Sequence, residues 1–300
     1  MKKLLLILLC LPMIGFGQFT MIPDANFEQK LINLGYDNGA INGSVYTAMI
    51  NTITSLDVEY SNISDLTGIE DFTALTYLNC NSNQLTSLDV SQNTALTYLY
   101  CYSNQLTSLD VSQNTALIDL NCHINQITSL DVSANTALIN LYCLLNQLTS
   151  LDVSGATALT TLWCWDNQLT SLDVSQNTAL YRLNCNSNQL TSLDVSQNTA
   201  LTYLYCNSNQ LTSLDVRNGN NTNMVYFDSE SNPSLSCINV DDFQYSLFNW
   251  TYIDTQHYFS NNCSPSAIEE NSTNKELLKV TDLLGRETKG TKNEVLFNIY

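Results

Sequence analysis

Positive charge is scarce in this 300-residue chain, which has 10 Lys and Arg residues against 28 Asp and Glu residues and a formal net charge of -18. This balance disfavours nucleic acid, whose phosphates the chain would repel, and leaves no basic patch for an anionic membrane surface. Charged residues make up only 13% of the chain and hydrophobic residues 44%, so we expect a sizeable core and not a disordered chain.

Long apolar stretches are also few. The one clear run, residues 4–16, follows Lys2 and Lys3 and ends at the small residues Gly15 and Gly17. This layout is typical of a secretory signal peptide, and it predicts that residues 1–17 are removed before Gln18. Because the run is too short for a permanent transmembrane helix, we expect an exported protein and not an integral membrane protein.

Residues and motifs of common enzymes are rare as well. The chain has two histidines, no C-x-x-C pair, no phosphate loop and no dinucleotide fingerprint. His123 follows Cys122, but adjacent residues of a strand face opposite ways and cannot act as a catalytic pair. We therefore expect no catalysis, cofactor or metal. Asp119 and Asp166 leave a glycosidase-like acid pair as a less favoured alternative.

Repetition is what the chain has in abundance. One unit, residues 75–95, reads LTYLNCNSNQLTSLDVSQNTA, and seven such units follow one another. They place a cysteine every 21 residues, at Cys80, Cys101, Cys122, Cys143, Cys164, Cys185 and Cys206. A period of this length indicates a solenoid, because one short unit cannot bury its own apolar face.

Each unit predicts one half-buried strand. Leu78 and Cys80 alternate with Asn79 and Asn81, so the Leu and Cys side chains point inward and the two Asn side chains outward. About ten residues remain for the return path, which favours turns, 3₁₀ pieces or a short second strand at 88–90. Nine strands at ~4.8 Å give a stack roughly 40 Å long.

The pattern L-x-x-L-x-C-x-x-N-x-L resembles the leucine-rich repeat family, in particular its 21-residue bacterial, internalin-like units. The resemblance covers about residues 53 to 237. It implies a β-rich solenoid, a right-handed superhelix with a parallel concave sheet of about nine strands.

The segments around the repeats predict the domain organisation. Residues 18–52 form an N-terminal cap with a short helix from the N-cap Asp24 to Leu34, stopped by Gly35. The solenoid spans 53–237, a C-terminal cap 238–263, a linker 264–274 and a tail 275–300. Cys237 and Cys263 break the 21-residue period, so we expect them to pair and close the C-terminal cap, where Trp250 and Phe248 cover the last coil.

Three further columns have structural interpretations. The seven repeated cysteines are predicted to be small buried hydrophobes, because strand spacing places their β-carbons too far apart for bridges. A column of Asp residues, beginning at Asp89, is expected to accept turn amides and not to bind cations. An inward column of asparagines is expected to satisfy backbone groups; it comprises Asn83, Asn104, Asn125, Asn146, Asn167, Asn188 and Asn209.

Variation between the units gathers on the outward strand positions, which we predict to form a binding face. Trp163 and Trp165 point out from one strand and, with Leu144 next to them, are the best candidate hot spot. Packing of aromatics across neighbouring coils is the alternative, and for the tyrosines it stays open. The candidate ligand-binding residues are Tyr98, Tyr100, Tyr102, Asp119, His123, Tyr142, Leu144, Trp163, Trp165, Arg182, Tyr203 and Tyr205.

The tail contains the run 280–286, in which Val280, Asp282, Gly285 and Arg286 match V-x-D-x-x-G-R. It resembles the core of C-terminal sorting domains used by type IX secretion. The resemblance implies the type IX machinery as a partner and a location outside a Gram-negative cell, secreted or attached to the outer surface. That family has a further Gly turn and strand after a segment like 297–300, so we expect this tail to be incomplete.

These observations predict an exported or cell-surface leucine-rich repeat protein that binds a protein partner through its concave face, for adhesion or interaction. A rigid sheet holds the side chains in place, so little ordering entropy is lost on binding. The alternative is a glycan-binding module whose Tyr and Trp rings stack on sugars, and a hydrolase ranks last.

Overall fold

The computed structural model describes residues 18–263 and the backbone of two short strands at 279–281 and 297–299. The predicted signal peptide, the linker and the motif residues Asp282, Gly285 and Arg286 lie outside the described residues. The chain divides into one unit up to Asn261 and a second from Asn262 onward. No helix among the described residues has the length and apolar character to cross a membrane.

The elements are short and follow one another in a regular order. The helices are α1 (Ala25–Leu34), α2 (Thr47–Ile50) and α3 (Phe243–Asn249), and 3₁₀ turns occur at Ile69–Asp71 and Asn221–Asn223. The strands are β1 (Phe19–Met21), β2 (Ser44–Tyr46), β3 (Ser55–Asp57), β4 (Tyr77–Asn79), β5 (Tyr98–Tyr100), β6 (Asp119–Asn121), β7 (Ser129–Asp131), β8 (Asn140–Tyr142), β9 (Ser150–Asp152), β10 (Thr161–Trp163), β11 (Arg182–Asn184), β12 (Ser192–Asp194), β13 (Tyr203–Tyr205), β14 (Ser213–Asp215), β15 (Tyr226–Asp228), β16 (Cys237–Asn239), β17 (Tyr258–Ser260), β18 (Lys279–Thr281) and β19 (Phe297–Ile299).

One parallel sheet of nine strands runs along the stack, in the order β15-β13-β11-β10-β8-β6-β5-β4-β3. Its register aligns the central residue of each strand with that of the next, from Leu56 opposite Leu78 to Leu204 opposite Phe227. These side chains are buried in one continuous core together with the seven repeated cysteines. The predicted solenoid with about nine concave strands is therefore confirmed.

The return path carries a second, discontinuous set of strands. β7 pairs with β9, and β12, β14, β16 and β17 form a four-stranded sheet. Within the repeats these strands span Ser-Leu-Asp, one residue earlier than the predicted 88–90, and the coil containing Leu88 has no strand there.

The N-terminal cap joins α1 to the antiparallel pair β1–β2. Asp24 caps α1, its side chain accepting from the backbone N–H groups of Asn26 and Phe27, and Gly35 ends the helix at φ 79. Phe27 and Leu31 are fully buried on one face of α1, whereas Leu34 in the last turn is 39% exposed.

The C-terminal cap is closed by the predicted disulfide between Cys237 and Cys263. Trp250 is buried and its ring stacks on Phe227 with centroids 4.3 Å apart, covering the last coil as expected. Phe248 does not cover it, because it is 80% exposed. Ser246 and Trp250 lie four residues apart and point to the core, so Phe248, midway between them, faces the opposite side.

In the second unit, β18 pairs antiparallel with β19, with Val280 opposite Asn298.

Candidate binding face

The concave face consists of the outward side chains of the nine-stranded sheet, which form three columns. Strand register aligns the first column from Tyr77 to Tyr226 and the second from Asp57 to Asp228. Backbone hydrogen bonds between successive coils extend the alignment to a third column from Glu59 to Glu230. Of the residues predicted for this face, Tyr98, Trp163 and Arg182 are exposed, and Tyr100, Tyr102, Asp119, His123, Tyr142, Trp165, Tyr203 and Tyr205 are partly buried.

Leu144 corrects the predicted hot spot. It is only 7% exposed and therefore adds no apolar surface next to the two tryptophans. In the third column it stands between His123 and Trp165, one coil away on either side.

The centre of the face combines an aromatic pair with a polar pair. The rings of Tyr142 and Trp163 meet edge to face with centroids 5.4 Å apart. Next to them the Asn140 side-chain amide donates to an Asp119 carboxylate oxygen at 2.9 Å. Half-burial raises the pKa of Asp119, an effect that this hydrogen bond reduces. Asp166, the other predicted acid, is exposed in the turn after β10 and lies two coils further along.

The histidine on the face is held as part of an aromatic stack. The rings of His123 and Tyr102 lie nearly parallel with centroids 4.4 Å apart, and His123 Nδ1 contacts the Asn121 side-chain oxygen. Burial lowers the pKa of His123, which favours the neutral ring near pH 7.

Tyrosines gather towards both ends of the face. Near the N-terminal end, Tyr77 contacts Tyr100 edge to face at 5.6 Å, and burial together with the charge of Asp119 raises the pKa of Tyr100 to about 12. Towards the C-terminal end, Tyr205, Tyr226 and Tyr252 form a continuous stack with centroid distances of 4.4 and 5.3 Å. Tyr77, Tyr226 and Tyr252 are absent from the predicted set. Tyr77 could have been included, because it lies in the same outward column as Tyr98.

Arg182 shows how this face holds a cation. Its guanidinium carbon lies 4.8 Å from the centre of the Tyr203 ring and 5.6 Å from that of Tyr181. Both distances are within the range of cation–π attraction.

The cysteine column carries no reactive thiol. All seven side chains are free and fully buried. Burial raises the pKa of Cys80, Cys122 and Cys185 to about 12, so at neutral pH these thiols stay protonated.

The predicted asparagine column lies inside the turn that follows each concave strand. Asn104 is representative: its Nδ2 donates to the carbonyl oxygens of Cys80 and Cys101 at 3.0 and 3.1 Å. Its Oδ1 accepts from the backbone N–H of Leu85 at 3.0 Å. One amide therefore satisfies donors and acceptors of two coils at once.

A second asparagine column was not anticipated. Asn114 Nδ2 donates to the carbonyl oxygens of Val90 and Asn93, both at 2.9 Å, and its counterparts in neighbouring coils do likewise. The fully buried members are Asn93, Asn114, Asn135, Asn177 and Asn198. The N-T-A triplet, which recurs in every repeat except at 156–158 and 219–221, was the available signal, but exposed positions recur as regularly in these units.

The aspartate column lies on the side of the return strands, away from the concave face. Asp89 Oδ1 accepts from the backbone N–H of Ser91 at 2.9 Å, and the same contact recurs at Asp110, Asp131 and Asp152. This hydrogen bond lowers the pKa of Asp89. Among the described residues, no cluster of three or more His, Cys, Asp or Glu side chains has a metal-binding arrangement.

Each coil also contains a residue in the left-handed backbone region just before the first asparagine column, and the first coil has a second one, Asn62, at φ 54. These residues have φ between 51 and 57 and are Tyr60, Ser82, Ser103, Ile124, Leu145, Asp166, Ser187, Ser208 and Ser231. Ile124 is the only β-branched member, and such side chains are strongly disfavoured in this region.

The relatives of this chain are leucine-rich repeat proteins of bacterial and other origin. A 71-residue stretch, 24% of this chain, is 42% identical to Internalin J of Listeria monocytogenes and covers 8% of it. The solved functional domain of InlJ from that organism, described as including a cysteine ladder, is 32% identical, over 74% of this chain and 66% of that one, with a TM-score of 0.37. The chain thus spans only a small part of the curated relative it matches.

Two further solved structures show the same fold at lower identity. Internalin C2 of Listeria monocytogenes is 22% identical with a TM-score of 0.59, over 69% of this chain and 94% of that one. The plant peptide hormone receptor RGFR1, solved in complex with RGF2, is 19% identical with a TM-score of 0.54, over 65% of this chain and 36% of that one. No family model matches the chain. Together with the observed architecture, these likenesses establish a leucine-rich repeat fold.

Proposed function

We propose that this chain is an exported binding protein that recognises a protein partner through its concave face and serves in adhesion or interaction. The observation that carries the proposal is the set of aromatic side chains standing outward on a stiff parallel sheet. Trp163 is 36% exposed and Tyr98 39%, although both have aromatic neighbours within reach. Exposed aromatic area on a rigid support binds at low entropic cost.

The relatives support a protein as the ligand. The plant receptor of the same fold is described in complex with RGF2, and the bacterial relatives are internalins. Neither likeness identifies a partner for this chain, so the partner has to be found experimentally.

The test is a binding screen with the full-length chain against immobilised surface proteins, followed by substitution of Trp163 and Trp165 by Ala. We expect the double variant to bind at least ~2 kcal/mol more weakly, about 30-fold, if the two indoles form a hot spot. Phe248→Ala is the matched control, because Phe248 is more exposed than either indole but lies on the C-terminal cap. Binding that survives the Trp substitutions and falls with Phe248→Ala would move the interface to the cap.

Glycan binding is the second candidate, favoured by the position of Trp163 on the strand next to that of Asn140, whose side chain is hydrogen-bonded to Asp119. An exposed indole next to polar groups can stack on a sugar ring while the polar groups bind hydroxyls. Competition by soluble oligosaccharides would select this candidate, and insensitivity to them would select protein recognition.

Export is proposed on the N-terminal pattern of residues 1–17 and on the V-x-D-x-x-G-R match of the tail, for a protein at the outer surface of a Gram-negative bacterium. Fractionation of cells expressing the full chain tests both segments. Arg286→Ala should retain the protein inside the cell if the tail is read by the type IX machinery. The proposed domain limits are 18–52, 53–237 and 238–263. Limited proteolysis tests the last of them and should cut first beyond 263.

A further inference from the structure

Both ends of the concave face carry the same pair of acids. The first strand of the sheet contributes Asp57 and Glu59, and the last contributes Asp228 and Glu230, with Asp in the second column and Glu in the third. The seven strands between them have no acid in these two columns. In both pairs the Asp Oδ1 accepts from the backbone N–H of the Glu at 3.1 Å. The pairs differ in burial, since Asp57 is exposed and Asp228 is only 9% exposed.

Each acidic pair lies beside tyrosines. At the N-terminal end, Asp57 and Glu59 are close enough to Tyr77 and Tyr102 for their charges to raise the pKa of both phenols, adding to the larger effect of burial. At the C-terminal end, Asp228 and Glu230 act in the same way on Tyr226, the middle ring of the Tyr205–Tyr226–Tyr252 stack. We call these two groups the N-end cluster and the C-end cluster.

No basic side chain in residues 18–263 neutralises these carboxylates. Residues 18–263 contain only three basic side chains, Lys30, Arg182 and Arg217. Arg217 pairs with Asp215 on the other side of the coil, and Arg182 is held over Tyr203. Within residues 18–263 no Lys or Arg side chain forms an ion pair with Asp57, Glu59, Asp228 or Glu230.

A tyrosine ring next to a carboxylate is a suitable receptor for a cationic side chain. The ring face attracts Lys or Arg through its quadrupole, and the carboxylate supplies a charge-assisted hydrogen bond. Arg182 over Tyr203 and Tyr181 is an example of the first contact on this same face. One exposed carboxylate in each cluster, Asp57 or Glu230, is open to the second contact. Glu59 already accepts from the side-chain amides of Asn79 and Asn81, and Asp228 is buried.

We propose that the protein partner is basic and places Lys or Arg side chains in the N-end and C-end clusters at the same time, while its central part contacts the two tryptophans. This inference rests on the proposed function and adds the chemistry of the partner. The two clusters are eight strand spacings apart, about 38 Å along the sheet. An extended segment of about 12 residues spans that distance.

The test uses synthetic peptides with an Arg-Arg pair at each end of a polyproline spacer, because polyproline is semi-rigid at ~3.1 Å per residue. A spacer of about 12 residues should reach both clusters of one molecule, and one of about 4 should reach only one. We expect calorimetry on the full chain to show about tenfold tighter binding of the long peptide. Equal affinities would overturn the two-ended arrangement, and a Gln-Gln version that binds as well would overturn the requirement for cations.

Charge-removing variants distinguish binding at the two clusters from general attraction of the peptide to a negatively charged protein. Asp57→Asn with Glu59→Gln, and Asp228→Asn with Glu230→Gln, should each weaken the long peptide about fivefold or more. Asp89→Asn with Asp173→Asn removes the same two charges from the aspartate column, on the other side of the coil, and should leave the affinity unchanged. Equal losses in the control would mean non-specific attraction and overturn the proposal. Thermal melts confirm that all three variants are folded.

Failure of this inference differs from failure of the proposed function. A surface-protein partner whose binding depends on Trp163 and Trp165 but not on the four end acids would leave the concave face as the interface and refute the basic partner. A partner whose binding ignores both sets of substitutions would refute the interface itself.

Discussion

The interior coils and the two ends of the stack use different acceptors for the backbone N–H groups of their turns. Inside, each turn is bonded to the next coil by peptide groups and by a neutral amide such as Asn104 or Asn125. At the ends no further repeat unit follows, and a carboxylate accepts from the N–H groups of the turn. Asp24 accepts from the backbone N–H groups of Ser64 and Asp65, and Asp254 accepts from those of Ser231 and Asn232.

Amides serve in the interior and carboxylates at the ends because the two groups differ in hydrogen-bonding capacity and in charge. An amide both donates and accepts, so it can join two coils, whereas a carboxylate only accepts and fits the N–H groups of an uncovered turn. A charge repeated at strand spacing inside the core would be desolvated and repelled by its neighbours, but a single charge at a solvated end is not. The side chains that bond neighbouring turns are therefore repeated and neutral in the interior, and unique and charged at the two ends.

Removing the disulfide of the C-terminal end should have the largest effect on stability. Replacing Cys237 and Cys263 by Ser opens a loop of about 27 residues and should lower the free energy of unfolding by about 3 kcal/mol, because the unfolded chain gains freedom. Denaturant titration measures this loss. Reducing agent should produce a similar loss in the natural chain and none in the double variant, and a natural chain indifferent to reduction would contradict the prediction.

The interior amide comes next. Asn104→Ala should cost about 2–3 kcal/mol, chiefly because the buried Leu85 N–H loses its acceptor. The carbonyls of Cys80 and Cys101 keep bonds from Asn83 and Asn125, which limits the loss. Gln105→Ala, next in sequence but exposed, is the control and should change stability little. An equal effect of the two substitutions would show that the column is dispensable.

The end carboxylate should have a smaller effect. Asp24→Ala removes the cap of α1 and the bond to the Ser64 turn, and we expect a loss of about 1–2 kcal/mol. Hydrogen exchange should place this loss in α1 and the first coil and not in the centre of the stack. Gln29→Ala, on the exposed side of the same helix, is the matched control.

Lowering the pH should weaken the hydrogen bonds of the end carboxylates, whereas the interior asparagine amides do not titrate. Burial works to raise the pKa of Asp24, but hydrogen bonds from Ser64 and from the helix amides bring it below its ordinary value of 3.8. For Asp254, too, burial is outweighed, here by the N–H groups of Ser231 and Asn232 and the charge of His257, so its pKa is also lowered. Stability from both groups is therefore complete above the unfolded pKa and is lost as pH falls through the folded one.

This pH dependence of stability can be tested by melting the natural chain and the Asp24→Asn variant at a series of pH values from neutral downward. The gap in stability between the natural chain and the variant should shrink below about pH 4. A gap that stays constant to lower pH would show that ionisation of Asp24 contributes nothing.

The smallest effect is a gain. Ile124→Gly should raise the free energy of unfolding by about 1 kcal/mol, because Ile124 has φ 52 and its side chain is 45% exposed. Ile139→Gly is the control: Ile139 is similarly exposed but does not have a positive φ, so Gly should destabilise there. Stabilisation at both positions or at neither would mean that backbone strain at Ile124 is not the cause.

Much of the fold could be predicted because each apolar column repeats with one period. The helix from Asp24 to Gly35 was also predictable, since its cap residues act within a few positions along the chain. Leu144 and Phe248 were not, because their exposure depends on neighbours in other coils or on the rotation of a short helix. The second asparagine column was missed for another reason: in these near-identical units the buried Asn114 recurs no more regularly than the exposed Thr115.

The sequence by itself determined the coil, its register and its neutral thiol core, because a 21-residue period leaves only one way to bury leucine and cysteine together. The tertiary structure alone decided what the surface offers: which rings stack, that Leu144 is shielded, and that Asp57–Glu59 and Asp228–Glu230 occupy matching positions eight strands apart. Packing direction within a coil is a local property of the chain, whereas exposure and charge pairing depend on side chains that meet only after the coils have stacked.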